Sequence, residues 1–437
     1  MGLLNQIAVN SLYRFAFILL QFLVTILVSR LVGPEGLGTY SLILANANIL
    51  LIFTSAGVSS GILFHAAKKD IRPKSLFKIA ILSALLQLAL IAIMEYIHLQ
   101  ITGSYWIWPN TDQLAGIAGI LFFFSLVMTD RYYALYNGNN IFKRYNLQLA
   151  VFSFITIILL GYLILQPFRP SLNQVIRLII AVNVLQMISL AIFFQVGQPA
   201  KTDLHRESSG NAKFFTYSMM AYLANSIQFL VFRIDFWILN YFRGEAELGL
   251  YALAVKISQT LWIIPALLAT IILPHITAVS FDKEVLEKLM RVMNTFNLLA
   301  ALMMGFLSFI FIPFVFGESF SGSILPLLIL IPGIFFVALH TLLAAYFAGK
   351  NRVGNNLKTA LFSLIIIVIL DFLLIPGMGR CGAALASSIA YSLSGIYALK
   401  LYADEEKYPM LAILAGRSDL VWLKANAYRL ISTNSLK

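Results

Sequence analysis

The feature that most constrains this chain is its repeated supply of largely uncharged stretches about 20 residues long, separated by short polar joints. At 1.5 Å per residue, such a stretch carries a helix across a hydrocarbon core of about 30 Å. The stretches are continuously apolar, as in Ile81 to Met94, Val151 to Leu165 and Leu361 to Leu370, and lack the alternation of membrane-barrel strands. Inside lipid no water satisfies the backbone, so helices are the remaining solution. Composition agrees, since 60% of the 437 residues are hydrophobic and 11% are charged, against about 25% charged in soluble domains. The expected fold class is an all-α integral membrane protein of about twelve transmembrane helices. The spans are read as Val9 to Val32, Thr39 to Ala66, Phe77 to Ile97, Gln113 to Tyr136, Asn146 to Leu165, Leu172 to Val196, Lys213 to Tyr241, Leu248 to Val279, Val292 to Phe316, Ile324 to Ala348, Leu357 to Ile375, and Ala383 to Ala403.

A formal net charge of +12 would raise the question of nucleic acid in a soluble protein. Here the basic residues fall in alternate joints: Lys68 to Lys78, Lys143 and Arg144, Lys201 to Lys213, Lys283 to Arg291, and Lys350 to Lys358. The joints between them hold chiefly Arg30, Arg169, Arg243 and Arg380. This is the positive-inside pattern, which predicts cytoplasmic termini and anionic lipid headgroups, not nucleic acid, as the partners of the charge. One cysteine, Cys381, excludes an internal disulfide and any cysteine-rich metal site, and no cofactor is expected. The first apolar block has no basic leader and no small-residue cleavage site, so it is read as a retained span.

The most polar internal joint, Gly197 to Ala212, divides the spans six and six. The expected organisation is an N-terminal bundle over 1–200, a cytoplasmic linker over 201–212, a C-terminal bundle over 213–403, and a tail over 404–437. The tail's amphipathic run, with Leu420, Val421, Leu423, Leu430 and Ile431, is too interrupted to span and is expected at the cytoplasmic interface. The two halves repeat. Leu37-Gly38-Thr39-Tyr40-Ser41-Leu42 matches Leu248-Gly249-Leu250-Tyr251-Ala252-Leu253 at an offset of 249 minus 38, or 211, and Gly138 matches Gly349 at the same offset. Phe152-Ser153 and Phe362-Ser363 pair at 210. An even number of spans separates each pair, so the repeat is parallel, and two six-helix bundles facing a central cleft are expected. Tyr105, Trp106 and Trp108 in the longest outer joint resemble an aromatic belt. Pro265, Pro274, Pro313, Pro326 and Pro332 are candidate kinks.

Three motifs carry a family resemblance: Ser29 through Tyr40 (Ser-Arg-Leu-Val-Gly-Pro-Glu-Gly-Leu-Gly-Thr-Tyr), Gly249 through Lys256, and Leu374-Ile375-Pro376 followed by Gly382-Ala383-Ala384-Leu385-Ala386. Together they resemble bacterial polysaccharide (O-antigen) repeat-unit flippases, the Wzx type within the multidrug/oligosaccharidyl-lipid/polysaccharide exporter superfamily, with Ser29 to Tyr40 as the first outer loop. Asp371 and the Arg380-Cys381 pair depart from that pattern. The resemblance implies an undecaprenyl-pyrophosphate-linked glycan as substrate, the bacterial inner membrane as location, and a polysaccharide polymerase and other assembly proteins as possible partners.

Ionised groups within spans are costly, by about 2.5–3.5 kcal/mol on insertion scales, and so normally face protein or a wet cavity. Arg233 and Lys256 fall at matching depth in the seventh and eighth spans, and with Arg14 and Arg131 they are the candidate substrate-binding cations for pyrophosphate. Asp235, Asp130 and Asp371 are the candidate ion-coupling or ion-pair carboxylates, with an Asp235 pair to Lys256 or Arg233 as one expectation and an Asp130–Arg131 pair at the inner end of the fourth span as another. Glu95, His98 and Arg177 are read as interfacial, and His275 and His340 as packing residues. A cation-coupled multidrug exporter of the same fold is the alternative reading. A membrane enzyme is disfavoured, because no outer joint is large enough for catalytic acid and base groups, and there is no phosphate loop for ATP.

Overall fold

The computed structural model describes residues 3–55, 57–69, 71–139, 141–168, 170–196, 212–277, 283–419 and 421–422. The described residues form thirteen α-helices and no strand. In the first half these are α1 (Leu3–Ser55), α2 (Val58–Lys68), α3 (Pro73–Thr102), α4 (Gln113–Gly138), α5 (Phe142–Leu165) and α6 (Leu172–Val196). In the second they are α7 (Ala212–Val231), α8 (Ile234–Ser258), α9 (Ile263–Thr277), α10 (Lys283–Phe316), α11 (Ile324–Gly349), α12 (Val353–Met378) and α13 (Arg380–Glu406). Two compact units divide the chain, Leu12–Phe214 and Phe215–Lys437 together with Met1–Ser11.

Among the described residues, ten helical stretches are long and apolar enough to cross a membrane. Two of them, Phe15–Ser55 with 41 residues and Tyr222–Thr270 with 49, have the length for two crossings each, so ten stretches with two counted twice give twelve spans. Both long stretches break at a glycine with left-handed backbone. Gly33 has φ 67° and ψ −172°, and Gly244 has φ 80° and ψ −179°. A side chain at such a φ would be strained, so glycine concentrates the turn in a single residue. The expected first outer loop is therefore a one-residue reversal between helical arms, and Pro34 follows Gly33 at the first helical position, where its missing N–H costs nothing.

These two breaks lie 244 minus 33, or 211, residues apart, the offset of the sequence repeat. The helices keep that offset: α4 and α11 begin at 113 and 324 and end at 138 and 349, and α5 and α12 begin at 142 and 353. The chain thus has the twelve-span, two-repeat all-α fold. Non-helical backbone inside the helices described here occurs at Gly33 and Gly244, while Pro313 and Pro332 sit inside α10 and α11.

Each unit has its own core. In the first, buried Phe122, Phe123, Tyr132 and Tyr136 of α4 pack with Ala80, Ala84 and Ile91 of α3 and with Leu190 and Phe194 of α6. In the second, α11 and α13 approach closely through small residues, as membrane helices do when dispersion replaces the hydrophobic effect. A Cβ on Gly333 would stand 2.6 Å from Ser388 Cα, and the Gly333 N–H donates to Ser388 Oγ at 3.0 Å.

Two sequence expectations at the ends of the first-unit spans are corrected. Trp108 is 1% exposed and belongs to the core, so it is no part of a belt, while Tyr105 and Trp106 are half-buried. Glu95, expected at an interface, is buried and accepts the backbone N–H groups of Trp106 at 2.7 Å and Ile107 at 2.8 Å, pinning the joint over the bundle end. His98 Nδ1 bonds the Ser104 carbonyl oxygen at 2.7 Å, and half-exposed Arg177 pairs with Asp112 at 2.8 Å. The linker 201–211 and the tail positions Leu420, Leu423, Leu430 and Ile431 lie outside the described residues. The tail that is described folds back on α10, where Arg291 donates to both carboxylate oxygens of Asp419 at 2.9 and 2.7 Å.

Candidate functional site

The second unit gathers most of the predicted charges around a helix break that the sequence does not announce. Helix α7 ends at Val231 and α8 starts at Ile234, so Phe232 and Arg233 interrupt what reads as one span from Lys213 to Tyr241. Neither residue is a glycine or a proline. A break inside a span frees backbone groups that need partners. The Val231 carbonyl oxygen accepts from the Tyr391 hydroxyl of α13 at 3.5 Å, and the Arg233 N–H closes a tight turn on the Leu230 carbonyl oxygen at 3.0 Å. Arg233, with φ −141° and ψ −13°, caps α8. Its guanidinium carbon lies 4.9 Å from the centre of the Phe236 ring, a cation–π arrangement, and Nη1 donates to the Phe232 carbonyl oxygen at 2.9 Å.

Asp235, two residues on, is 1% exposed. Its Oδ2 accepts from the Tyr251 hydroxyl in a short hydrogen bond and from Ser387 Oγ at 3.0 Å, while Tyr251 and Ser387 lie 3.0 Å apart. Oδ1 has no hydrogen-bond partner in the structure. Asp371 of α12 is 0% exposed, and neither of its oxygens has a partner. The two carboxyl groups are within electrostatic reach of each other. A buried carboxyl without a partner costs free energy comparable to a lost hydrogen bond, about 1–3 kcal/mol.

Lys256 of α8 lies partly buried within electrostatic reach of Arg233, so the structure brings together the two cations that the sequence placed at one depth. The expected ion pair is corrected. Asp235 forms no ion pair with Lys256 or Arg233, because Tyr251 and Ser387 occupy its oxygen and the Arg233 guanidinium is turned onto Phe236. Asp235 remains within electrostatic reach of Arg233. Tyr251, Ser387 and Tyr391 were missed as site residues. Tyr251 sits inside a quoted motif, but a hydroxyl carries no charge to mark it.

Arg131 and Asp130 belong to the first unit, apart from this cluster. Arg131 is 0% exposed, and both of its terminal nitrogens donate to protein, Nη1 to Ser59 Oγ at 2.5 Å and Asp130 Oδ2 at 3.0 Å and Nη2 to Gln87 Oε1 at 2.9 Å, while Nε has no partner. Ser59 Oγ also donates to Asp130 in a short hydrogen bond, and Gln87 Nε2 donates to Thr54 Oγ1 at 3.2 Å. The guanidinium ties α2, α3 and α4, and Gln87 extends the network to Thr54 of α1. The expected Asp130–Arg131 pair is present, and its arginine is sequestered in the bundle. The side chains of Arg14 and His275 lie outside the described residues. His340 Nε2 bonds Thr359 Oγ1 at 3.1 Å. Arg380, unusual in the sequence, pairs with Glu247 and donates to the Gly322 carbonyl oxygen at 3.0 Å, fastening the start of α13 to α8.

Twelve apolar spans in two repeats, with ionised groups buried in the bundles, define a multi-pass membrane protein of transporter architecture. Solved structures share the fold across nearly the whole chain. The lipid II flippase MurJ matches with a TM-score of 0.68 at 15% identity, over 98% of this chain and 94% of its own. An outward-facing multidrug resistance MATE family transporter of the MOP superfamily matches with a TM-score of 0.62 at 17% identity, over 93% of this chain and 96% of its own. These neighbours are a flippase and a transporter, not enzymes. The family model described as polysaccharide biosynthesis protein matches residues 27–325, and the chain belongs to that family. The capsular polysaccharide biosynthesis protein CapF of Staphylococcus aureus is 22% identical over 382 residues, 85% of this chain and 92% of its own length.

Proposed function

We propose that this protein flips undecaprenyl-pyrophosphate-linked oligosaccharide repeat units across the bacterial inner membrane by alternating access, with both termini cytoplasmic. The observation that carries the reading is the proximity of Arg233 and Lys256 at the α7–α8 break, neither of them in an ion pair with a described carboxylate. Two nearby cations whose charge is not consumed by a salt bridge suit a pyrophosphate, the fork of arginine taking two oxygens and lysine supplying a point charge. Asp371 and Asp235 supply the coupling site, where a proton or small cation balances the buried carboxyls. Membership of a polysaccharide biosynthesis family, and the fold shared with a lipid II flippase, support a lipid-linked glycan as cargo.

The test is arrival of labelled lipid-linked oligosaccharide at the far leaflet of proteoliposomes. Arg233→Gln and Lys256→Gln are expected to reduce it strongly at normal abundance, and Arg233→Lys to retain part of it. Full transport by both glutamine variants sinks the cationic mechanism. The buried carboxyls of Asp235 and Asp371 favour the second reading, a cation-coupled multidrug exporter. Transport of a cationic dye in the same vesicles, abolished by Asp371→Asn and indifferent to Lys256→Gln, would select it.

A further inference from the structure

The helix break carries aromatic rings as well as cations. Phe232, in the break itself, lies 5.0 Å between ring centres from Trp262 at an interplanar angle of 34°, and 5.4 Å from Tyr391 at 78°. Trp262 closes a 3-10 turn, Gln259–Trp262, that interrupts the helical path between α8 and α9. A 3-10 stretch within a helical path often marks a hinge or a sequence under strain. Both Phe232 and Trp262 are only half-buried, whereas Tyr391 is buried and holds the Val231 carbonyl. Both rings thus keep uncovered surface at the helix break, where Phe232 is next to Arg233 in sequence and touches Trp262.

We infer that Phe232 and Trp262 form a platform for the first sugar rings of the substrate, so that recognition is bipartite: cations for the pyrophosphate, aromatic faces for the glycan. The inference rests on the proposed flippase function and adds the part of the substrate that the cations cannot read. A pyranose ring presents a face of C–H groups with partial positive charge, and an aromatic face carries the negative lobe of its quadrupole. Hydroxyls at the ring edge remain free for polar partners. A cation–aromatic pair therefore matches a sugar joined to a phosphate, where a bare phosphate needs only the cations and an acyl chain needs neither.

The experiment uses the full-length protein in nanodiscs and two probes, a short polyprenyl pyrophosphate and the same lipid carrying a neutral disaccharide. Trp262→Ala is expected to weaken binding of the glycosylated probe by about three- to tenfold, the size of one aromatic contact, and to leave the bare probe within about twofold. Trp262→Phe, which keeps a ring, should restore most of the loss. Arg233→Gln should weaken both probes alike. Equal loss of both probes in Trp262→Ala, or no loss of either, overturns the platform. If Arg233→Gln changes neither probe while Trp262→Ala still separates them, the cationic reading falls and the platform stands. Wild-type protein that binds neither probe overturns both.

Discussion

Replacing Asp371 by leucine should make the protein more stable and less able to couple transport to a gradient. The carboxyl is 0% exposed and both oxygens lack partners. Counted from the starts of α5 and α12, the position 211 residues earlier is Leu160, also at 0% exposure, so the first repeat buries a leucine in that turn. Removing an unsatisfied buried polar group recovers about 1–3 kcal/mol, and leucine adds apolar contact at about 0.8 kcal/mol per buried methylene, less any overpacking. A net gain of about 1–3 kcal/mol corresponds to a rise of roughly 1–3 °C in unfolding midpoint for a chain of this length. Asp371→Asn keeps the shape and an unsatisfied amide, and should gain nothing. Unfolding of the purified protein by intrinsic fluorescence measures the first effect. Proteoliposome transport with and without an imposed ion or proton gradient measures the second, and both variants should lose the response. A leucine variant that is less stable than wild type would mean that the carboxyl is satisfied in the native protein. Undiminished gradient response in that variant would refute the coupling role.

Gly333→Ala should destabilise by about 1–3 kcal/mol, because its Cβ would meet the Ser388 backbone at 2.6 Å from Cα and 3.0 Å from the oxygen, which cannot rotate away; a neutral unfolding midpoint would show that α11 and α13 can separate freely. In the tail, Arg291 holds the Asp419 carboxyl below its ordinary range through two hydrogen bonds. The resulting stabilisation is complete above the unfolded-state value near 4 and is lost only as pH falls through the lower folded value. Hydrogen exchange across residues 408–419 should accordingly rise in acid, and Asp419→Asn should release the tail at neutral pH at a cost of about 1–2 kcal/mol; protection unchanged in the asparagine variant would refute the latch. Reporter fusions after residues 70 and 106 are expected on opposite sides of the membrane, since basic residues alternate between joints; same-side reporters would overturn the proposed topology.

Much of this architecture was legible before any coordinates. Uncharged runs of the length of a bilayer read as spans, and Leu172–Val196 matches α6 at both ends. The run read as Thr39 to Ala66 is instead divided between α1, which ends at Ser55, and α2, which starts at Val58, and α10 starts at Lys283 and not at Val292, because a helix can continue past the lipid on polar residues that no hydropathy pattern counts. The repeat was visible because glycines at tight turns and close contacts tolerate few substitutes, which keeps their spacing in register. Depth along a span follows from residue counting at constant rise, so the nearness of Arg233 and Lys256 could be read as well.

Partners could not be read, because rotation of one helix against another is set by packing that a linear pattern does not contain. Asp235 turned to Tyr251 and Ser387, 16 and 152 residues away in sequence, and not to the nearest cation. Buried Arg131 meets Ser59 of α2 and Gln87 of α3, 72 and 44 residues away in sequence, as well as its neighbour Asp130. The break at Phe232–Arg233 has no glycine or proline to announce it and exists because Tyr391 of α13 takes the freed carbonyl. The sequence by itself determined that the chain crosses the membrane many times as helices, where it repeats, and which charges fall within spans. Only the tertiary structure decided which of those charges are satisfied, since satisfaction depends on hydrogen-bond partners from distant spans meeting within about 3 Å.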